Sequence, residues 1–409
     1  MSVTFEDIKA AAARIEGHVL RTPSFKSDPL SRLLGFDVYL KLENLQHTSS
    51  FKPRGALVKL LSLDDHARKA GVVAASAGNH AQGVAFHAQA LGIPATIYMP
   101  VGTPFTKVRR TEDLGANVVL SGEGLAEARE MATAFAEANG KLFIHPYDDE
   151  KIITGQGTVG LEMLTDHPEL DTLLIPIGGG GLIAGSAIAA KALKPDITII
   201  GVEAEAYPSM RNAVTGVADT SGGQTVAEGI AVKVPGALTR PIIERLVSDY
   251  IAVSEASLEK SIQTYLESQR LVVEGAGAAT LAALMDDPAG FKGRKVGIIV
   301  SGGNIDSRLL SSILLRGLVR GGQLVRLRIG ITDAPGVLAQ VSGLIGDCGG
   351  NIVEVYHQRM FYDVPVKSAD VDVVVETMDT AHVDRIIEKL KESGYPTRRL
   401  NSSSAEDGC

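Results

Sequence analysis

Four short segments carry the residues best suited to chemistry. In Ser49-Ser50-Phe51-Lys52-Pro53-Arg54-Gly55, Lys52 stands just before a proline, a residue suited to the first turn of a helix. A lysine held at a loop–helix junction in a partly apolar pocket has its amine pKa lowered, and a neutral amine can form a Schiff base. Alone, the segment reads first as a surface lysine beside a helix start. Ser76-Ala77-Gly78-Asn79-His80 follows an apolar run that ends at Ala75. This is a strand–loop–helix junction, where open α/β sheets bind ligands. The free N–H groups of a helix start suit a carboxylate. Ser76 and Asn79 add side-chain donors, Asn79 also reads as a cap, and His80 reads as a structural hydrogen-bonder rather than a general base.

Gly178-Gly179-Gly180-Gly181-Leu182 lies between another apolar run and a helical stretch. Four glycines let the backbone wrap an anion with its N–H groups turned inward, and phosphate is the natural guest. A rival reading is open here. Gly179-x-Gly181-x-x-Ala184 also fits the dinucleotide fingerprint, and Glu203 sits about 20 residues on, where a ribose-binding acid belongs. Finally, Ser301-Gly302-Gly303-Asn304 ends the apolar run Lys295–Val300. Ser301 can donate to a heteroaromatic nitrogen, although a turn or helix cap is the default reading. No HExxH, CxxC or GxSxG site is present, and two cysteines exclude a cysteine-rich zinc site.

The elements that must position these segments alternate. Short apolar runs at Val38–Leu42, Gly71–Ala75, Ala95–Met99, Ala116–Leu120, Thr172–Ile177, Ile197–Val202 and Lys295–Val300 read as strands covered on both faces. Helical stretches such as Asn79–Leu91, Gly124–Ala138 and Leu258–Gln269 separate them. The alternation predicts an α/β fold with two open, mostly parallel sheets and flanking helices. Arg316–Gln323 reads as a linker. Beyond it, Leu324–Ile331, Val337–Cys348, Ile352–Met360, Ser368–Glu376 and Ala381–Ser393 give a βαββα order, with a last strand expected at Tyr395–Leu400. The expected domains are therefore residues 1–318, containing a smaller inserted subdomain at about 50–150, and residues 324–400, followed by a flexible tail at 401–409.

Composition narrows the function classes. The 409 residues are 45% hydrophobic and 22% charged, values of an ordinary globular chain long enough to bury several cores. The 40 Lys+Arg against 48 Asp+Glu leave a net charge of −8, which argues against nucleic acid as a partner. Two cysteines, Cys348 and Cys409, cannot build a disulfide framework, so a cytoplasmic location is expected. The uncharged run Thr172–Ala190 is broken by Pro176 and the glycines, so no membrane span and no signal peptide are expected.

Taken together and in this order, Ser-Phe-Lys-Pro-Arg-Gly, Ser-Ala-Gly-Asn-His, the tetraglycine and Ser-Gly-Gly-Asn resemble the pyridoxal-phosphate (PLP) enzymes of the tryptophan-synthase β fold, PLP fold type II. The resemblance runs from about Ile8 to Leu318 and includes the segment His145–Thr158. Within that family the threonine/serine dehydratases look most similar. The unit from Leu324 resembles an ACT domain, a βαββαβ regulatory module, and the pairing resembles the single-ACT threonine ammonia-lyases.

The resemblance implies that Lys52 holds the cofactor as a Schiff base and that Phe51 packs near its ring. Asn79 would meet the ring hydroxyl, Ser301 the pyridine nitrogen, and Gly178, Gly179, Gly180, Gly181 and Leu182 the phosphate. Ser76, Gly78, Asn79 and His80 would hold the substrate carboxylate. The implied reaction is loss of water from threonine, and from serine, giving a 2-oxo acid and ammonia, in isoleucine synthesis or in threonine breakdown. It also implies a homo-oligomer, dimer or tetramer, and an amino-acid effector at the ACT-like unit. The alternatives are a related lyase or racemase for serine or 3-hydroxyaspartate, and the nicotinamide-dependent oxidoreductase of the rival fingerprint. Related serine racemases place a hydroxyl where this chain has Ala77, which favours dehydration. The metal site of some relatives uses an acid like Glu203 and a second acid where this chain has Ser209, so no metal is expected.

Overall fold

The computed structural model describes residues 3–358 and 368–400. The expected tail at 401–409 and the end of the strand expected over Ile352–Met360 lie outside the described residues. The chain forms two compact units, Met1–Asp306 and Ser307–Cys409.

The first unit holds two sheets. The larger has the order Ser24–Lys26, Asp37–Leu42, Lys295–Val300, Thr172–Pro176, Thr198–Ala204, Asp249–Val253. All its neighbours pair parallel except the first two strands. The smaller, also parallel, has the order Asn117–Leu120, Ala95–Met99, Val72–Ala75, Leu142–Phe143. Central strands such as Val72–Ala75 and Thr172–Pro176 are buried at every position, as the unbroken apolar runs require when helices cover both faces. The edge strand Asn117–Leu120 has no buried residue.

This order brings the chemical segments together. The carboxyl ends of Val72–Ala75, Thr172–Pro176 and Lys295–Val300 lead directly into Ser76, the tetraglycine and Ser301. The helix Glu150–Asp166 spaces them. A Cβ on Gly155 would lie 2.5 Å from the Gly55 Cα, and one on Gly160 would lie 2.7 Å from the Ser186 Cα. Small residues thus let the helix that starts at Lys52 and the helix that starts at Gly181 approach the same central rod from two sides. At Gly185 an added Cβ would meet the Ile153 carbonyl oxygen at 2.2 Å and the Gly157 nitrogen at 2.6 Å. Both are backbone atoms of the rod and cannot rotate away. Gly185→Ala is therefore expected to cost at least about 1–3 kcal/mol through overpacking, visible as a lowered midpoint in urea. An unchanged midpoint would show that the helices can separate freely.

In the second unit, strands Asn351–Gln358, Ser368–Glu376, Leu324–Thr332 and Thr397–Arg399 form one antiparallel sheet in that spatial order. With helices Val337–Asp347 and Thr380–Glu392 the chain order is βαββαβ. Val325, Leu327, Ile329, Val371, Val373 and Val375 join helix residues Val341, Ile345, Val383, Ile386 and Leu390 in its core. The alternation of Leu324–Thr332 leaves one strand face for this core. One expectation is corrected. Arg316–Gln323 is not a linker throughout, because the helix Ser307–Arg320 runs into it, with Ile313 and Gly317 buried four residues apart. Only Gly321, Gly322 and Gln323 separate that helix from the first strand.

Candidate active site

Phe51, Lys52, Ser76, Gly78, Asn79, His80, the glycines 178–181, Leu182 and Ser301 all line one cavity of about 300 Å³ in the first unit. Every residue that the resemblance assigns to cofactor or substrate thus reaches the same space.

Lys52 is the first residue of helix Lys52–Leu61, with Pro53 in its opening turn. Its Nζ donates to the Pro146 carbonyl at 2.9 Å and lies 5.1 Å from the centre of the Phe51 ring. Loss of water around the ammonium pulls its pKa down to about 8, against the opposing charge of Glu274. Two residues on, Arg54 is wholly buried and grips Glu43 through Nε and Nη2, each at 2.8 Å. It also reaches Glu162 through Nη1 at 2.7 Å and Nη2 at 2.9 Å. Lys41, equally buried, donates to Glu162 at 2.6 Å. Two cations and two carboxylates therefore fasten the helix that presents Lys52.

Asn79 opens helix Asn79–Ala90. Its Oδ1 accepts from Asn304 Nδ2 at 3.0 Å, and its Nδ2 donates to Glu274 at 2.7 Å. That leaves Asn79 one N–H to donate to a guest, beside a second lone pair on Oδ1. The neighbouring His80 is buried, and its Nε2 lies 2.9 Å from the Ile144 carbonyl. Burial, with the charge of Lys52, pushes its pKa down to about 3. It is a neutral donor pinned to the backbone, and what it offers a carboxylate is its main-chain N–H in the first helical turn. The Ser76 hydroxyl accepts from the Gly78 N–H at 3.2 Å.

The tetraglycine is enclosed on several sides. A Cβ on Gly179 would collide with the Tyr147 ring, 2.2 Å from its Cγ and 2.3 Å from both Cδ atoms. Gly180 has φ +94°, a conformation that suits glycine, and a Cβ there would lie 2.7 Å from both Thr239 Oγ1 and Ile243 Cδ1. The helix Gly181–Leu193 starts here, so its first N–H groups, which lack helical partners, border the cavity. Thr239 donates to the Gly179 carbonyl at 2.7 Å and holds the cup. Tyr147 is tethered by its hydroxyl to the Val234 carbonyl at 2.9 Å. This donor set, a glycine cup at a helix start facing a lysine of lowered pKa, fits an aldehyde that carries a phosphate.

The rival dinucleotide fingerprint fails at its acid. Glu203 accepts from the Met210 N–H at 2.8 Å and the Arg211 N–H at 3.0 Å, capping the helix Ser209–Thr215. Burial pushes its pKa up to about 7. Ser209, where a second acid would stand, donates to the Val232 carbonyl at 2.6 Å. Among the described residues no group of three or more His, Cys, Asp or Glu is placed to hold a metal ion.

Sequence reasoning missed Glu274, Tyr147, Lys107 and Glu228, which also line the cavity. Glu274 stands at the N-cap position of helix Gly275–Asp286, yet its side chain makes no cap hydrogen bond. It turns instead to Asn79, and burial pushes its pKa up to about 7. No local pattern marks a contact across 195 residues.

Residues 15–302 match the family described as pyridoxal-phosphate dependent enzyme. An L-threonine ammonia-lyase of Thermotoga maritima is 43% identical over 97% of this chain and 99% of its own length. Among solved structures, the processed form of threonine deaminase isoform 2 from Solanum lycopersicum superposes with TM-score 0.73 at 34% identity, over 77% of this chain and 87% of that one. Maize serine racemase does so with TM-score 0.72 at 35% identity, over 78% and 99%.

Proposed function

The chain belongs to the pyridoxal-phosphate-dependent enzymes, and from that premise we propose that it is an L-threonine ammonia-lyase, converting threonine to 2-oxobutanoate and ammonia and acting on serine in the same way. The observation that carries this reading is the meeting, in one cavity, of an amine whose pKa is lowered to about 8 with the glycine cup at a helix start. A likeness across nearly the whole of both chains to an L-threonine ammonia-lyase supports the choice of substrate.

We assign the roles as follows. When bound, pyridoxal phosphate supplies an aldehyde for the amino group and a ring that withdraws electrons from the substrate α-carbon. Lys52 anchors that aldehyde, and its amine, once displaced by the substrate, takes the Cα proton. The N–H groups of the glycine cup take the phosphate. The remaining N–H of Asn79, oriented by Asn304 and Glu274, would be the donor to the ring oxygen. Ser301, a neutral partner for the ring nitrogen, does not demand a protonated ring, which limits charge build-up at Cα and favours prompt departure of the β-hydroxyl. Ser76 and the backbone N–H groups of residues 78–80 hold the carboxylate. Ala77, on the cavity wall, has no hydroxyl with which to deliver a proton from the opposite face. We therefore rank racemisation second, although a serine racemase is among the structural neighbours.

Incubation with L-threonine tests the reading: 2-oxobutanoate and ammonia should form in equal amounts. If D-allo-threonine, the epimer at Cα, accumulates instead, the racemase reading replaces it. A second expectation concerns pH. The free amine is neutral above its pKa, so covalent capture of pyridoxal phosphate by the cofactor-free chain should speed up about ten-fold from pH 6 to pH 7 and level off above about 8. Stopped-flow absorbance reads this directly. An ordinary lysine would still be accelerating at pH 9 to 10, roughly its unperturbed range.

We assign amino-acid regulation and a homo-oligomeric state, dimer or tetramer, to the second unit, whose βαββαβ order supports an ACT-like module. Kinetics with and without isoleucine, valine or excess threonine test the regulation. A cytoplasmic location is our reading of the two cysteines. Among the described residues no helix is long and apolar enough to cross a membrane.

A further inference from the structure

The three residues before Phe51 and Lys52 are unusual in a way that the cavity alone does not explain. Thr48 has φ +58° and ψ +19°, and Ser49 has φ +56°. Among the described residues only one other non-glycine residue has positive φ, Arg270, and it is an ordinary helix C-cap. A threonine in this region is a steric outlier because of its branched Cβ. The side-chain hydroxyls of the turn do not compensate. The Thr48 hydroxyl is buried and has no hydrogen-bond partner, and the same holds for the Ser50 hydroxyl.

What holds the turn is a set of bonds from Gln46 and from more distant segments. The Gln46 side chain accepts from the Leu20 N–H at 2.9 Å and the His47 N–H at 3.1 Å, and donates to the Leu20 carbonyl at 2.7 Å. The Gln46 carbonyl accepts from the Ser49 N–H at 2.8 Å. The His47 ring stacks on Phe86, with centres 4.8 Å apart. On its far side the turn is sewn to the loop that carries Ser301. The Gly303 N–H donates to the Ser49 carbonyl at 2.9 Å, the Phe51 N–H donates to the Ser301 carbonyl at 3.1 Å, and Ser50 bridges Gly302.

We propose that the left-handed pair Thr48–Ser49 is a strained clasp that sets the position of Lys52 relative to Ser301. The pair turns the chain so that residues 49–51 run antiparallel to residues 301–303, and this pairing joins the residue at one end of the cofactor ring to the residue at the other. Thr48 and Ser49 are positioning residues, and the inference rests on the roles given above to Lys52 and Ser301. Strain kept by surrounding contacts marks a geometry that a relaxed turn would not reach.

The test uses full-length Ser49→Gly, Thr48→Gly and the double variant. Ser49 is exposed, so its replacement leaves packing nearly untouched. Glycine accepts positive φ without strain and also accepts other conformations. The cofactor-free double variant should melt no lower than the parent. Its loaded form should show about a ten-fold lower kcat with KM for threonine within about two-fold, the pattern of a misplaced reacting group. Its visible absorption band should shift or broaden, and its dissociation constant for pyridoxal phosphate should rise several-fold. If glycine lowers the melting temperature by several degrees, the turn stores no strain and the proposal is wrong. If kcat, band and cofactor affinity are all those of the parent, the turn is structural only and the proposal is equally wrong. Failure of the underlying reading looks different, because the parent itself would then lack a borohydride-sensitive band.

Discussion

Lys52→Ala is expected to be a folded, colourless protein whose threonine turnover is lower by at least about 10³-fold, because one change removes both the covalent anchor and the proton-accepting base. The loss should be chemical, not structural. Among the described residues the Lys52 side chain makes a single hydrogen bond, to the Pro146 carbonyl. Alanine is the best helix former, and the position is the first of a helix. The melting temperature of the cofactor-free variant should therefore stay close to that of the parent. Lys52→Arg separates charge from chemistry. It keeps a cation in the cavity but cannot present a neutral nitrogen near neutral pH, so it should be as inactive as the alanine variant. Activity is followed as 2-oxobutanoate release, and anchoring by whether borohydride bleaches the visible band and fixes its mass on the peptide containing residue 52. Parent-like turnover in either variant would remove the foundation of the functional reading.

The sequence showed the chemical parts more clearly than the way they are held. The parallel sheets were legible because buried strands such as Val72–Ala75 and Lys295–Val300 are unbroken apolar runs. The loops were legible because glycine, asparagine and serine cluster directly after them. Asn79 and His80 could be placed on a helix start, but their partners could not. The acceptor of Asn79 is 195 residues away, and the His80 ring is committed to the Ile144 carbonyl. Glu203 was compatible with both a ribose and a cap, and only the approach of the Met210 and Arg211 N–H groups decides it. The arginines at 316 and 320 suggested a solvated connector. They recur every four residues on a helix whose Ile313 and Gly317 face inward, and a window of eight residues is too short to reveal that period. The spacing role of helix Glu150–Asp166 was hidden for a related reason. Gly155, Gly157 and Gly160 read as weak helix formers until their partners Gly55, Gly185 and Ser186 are opposite them.

Arg54→Met should be the most destabilising single change in the first unit, by about 3–5 kcal/mol, because it leaves the buried Glu43 without a cation and Glu162 with Lys41 alone. Arg54 and Glu43 have fully buried side chains, and Glu162 is exposed by only 13%. Burial opposes the Arg54 charge, but Glu43 and Glu162 outweigh it and hold its pKa above the ordinary value. For Glu162, burial raises the pKa, while the bond to Arg54 and the charges of Arg54 and Lys41 outweigh it and lower it. A lowered carboxylate pKa means that the stabilisation is complete above the unfolded value and is lost as pH falls through the folded one. The parent should accordingly lose stability on the acid side of about pH 4.5. Methionine roughly fills the space of the arginine stem, which separates charge from cavity effects. The decisive comparison is Arg54→Met with Glu43→Gln. That pair deletes one charge of each sign and leaves Lys41 facing Glu162, still bonded at 2.6 Å, so it should recover at least about half of the loss. Equal instability of the single and double variants would mean that shape, not charge balance, holds this region. Because Arg54 lies two residues from Lys52 at the start of the same helix, the recovered protein also reports on function. If stability returns and kcat does not, the ion cluster fixes the direction of the lysine as well as the helix that carries it.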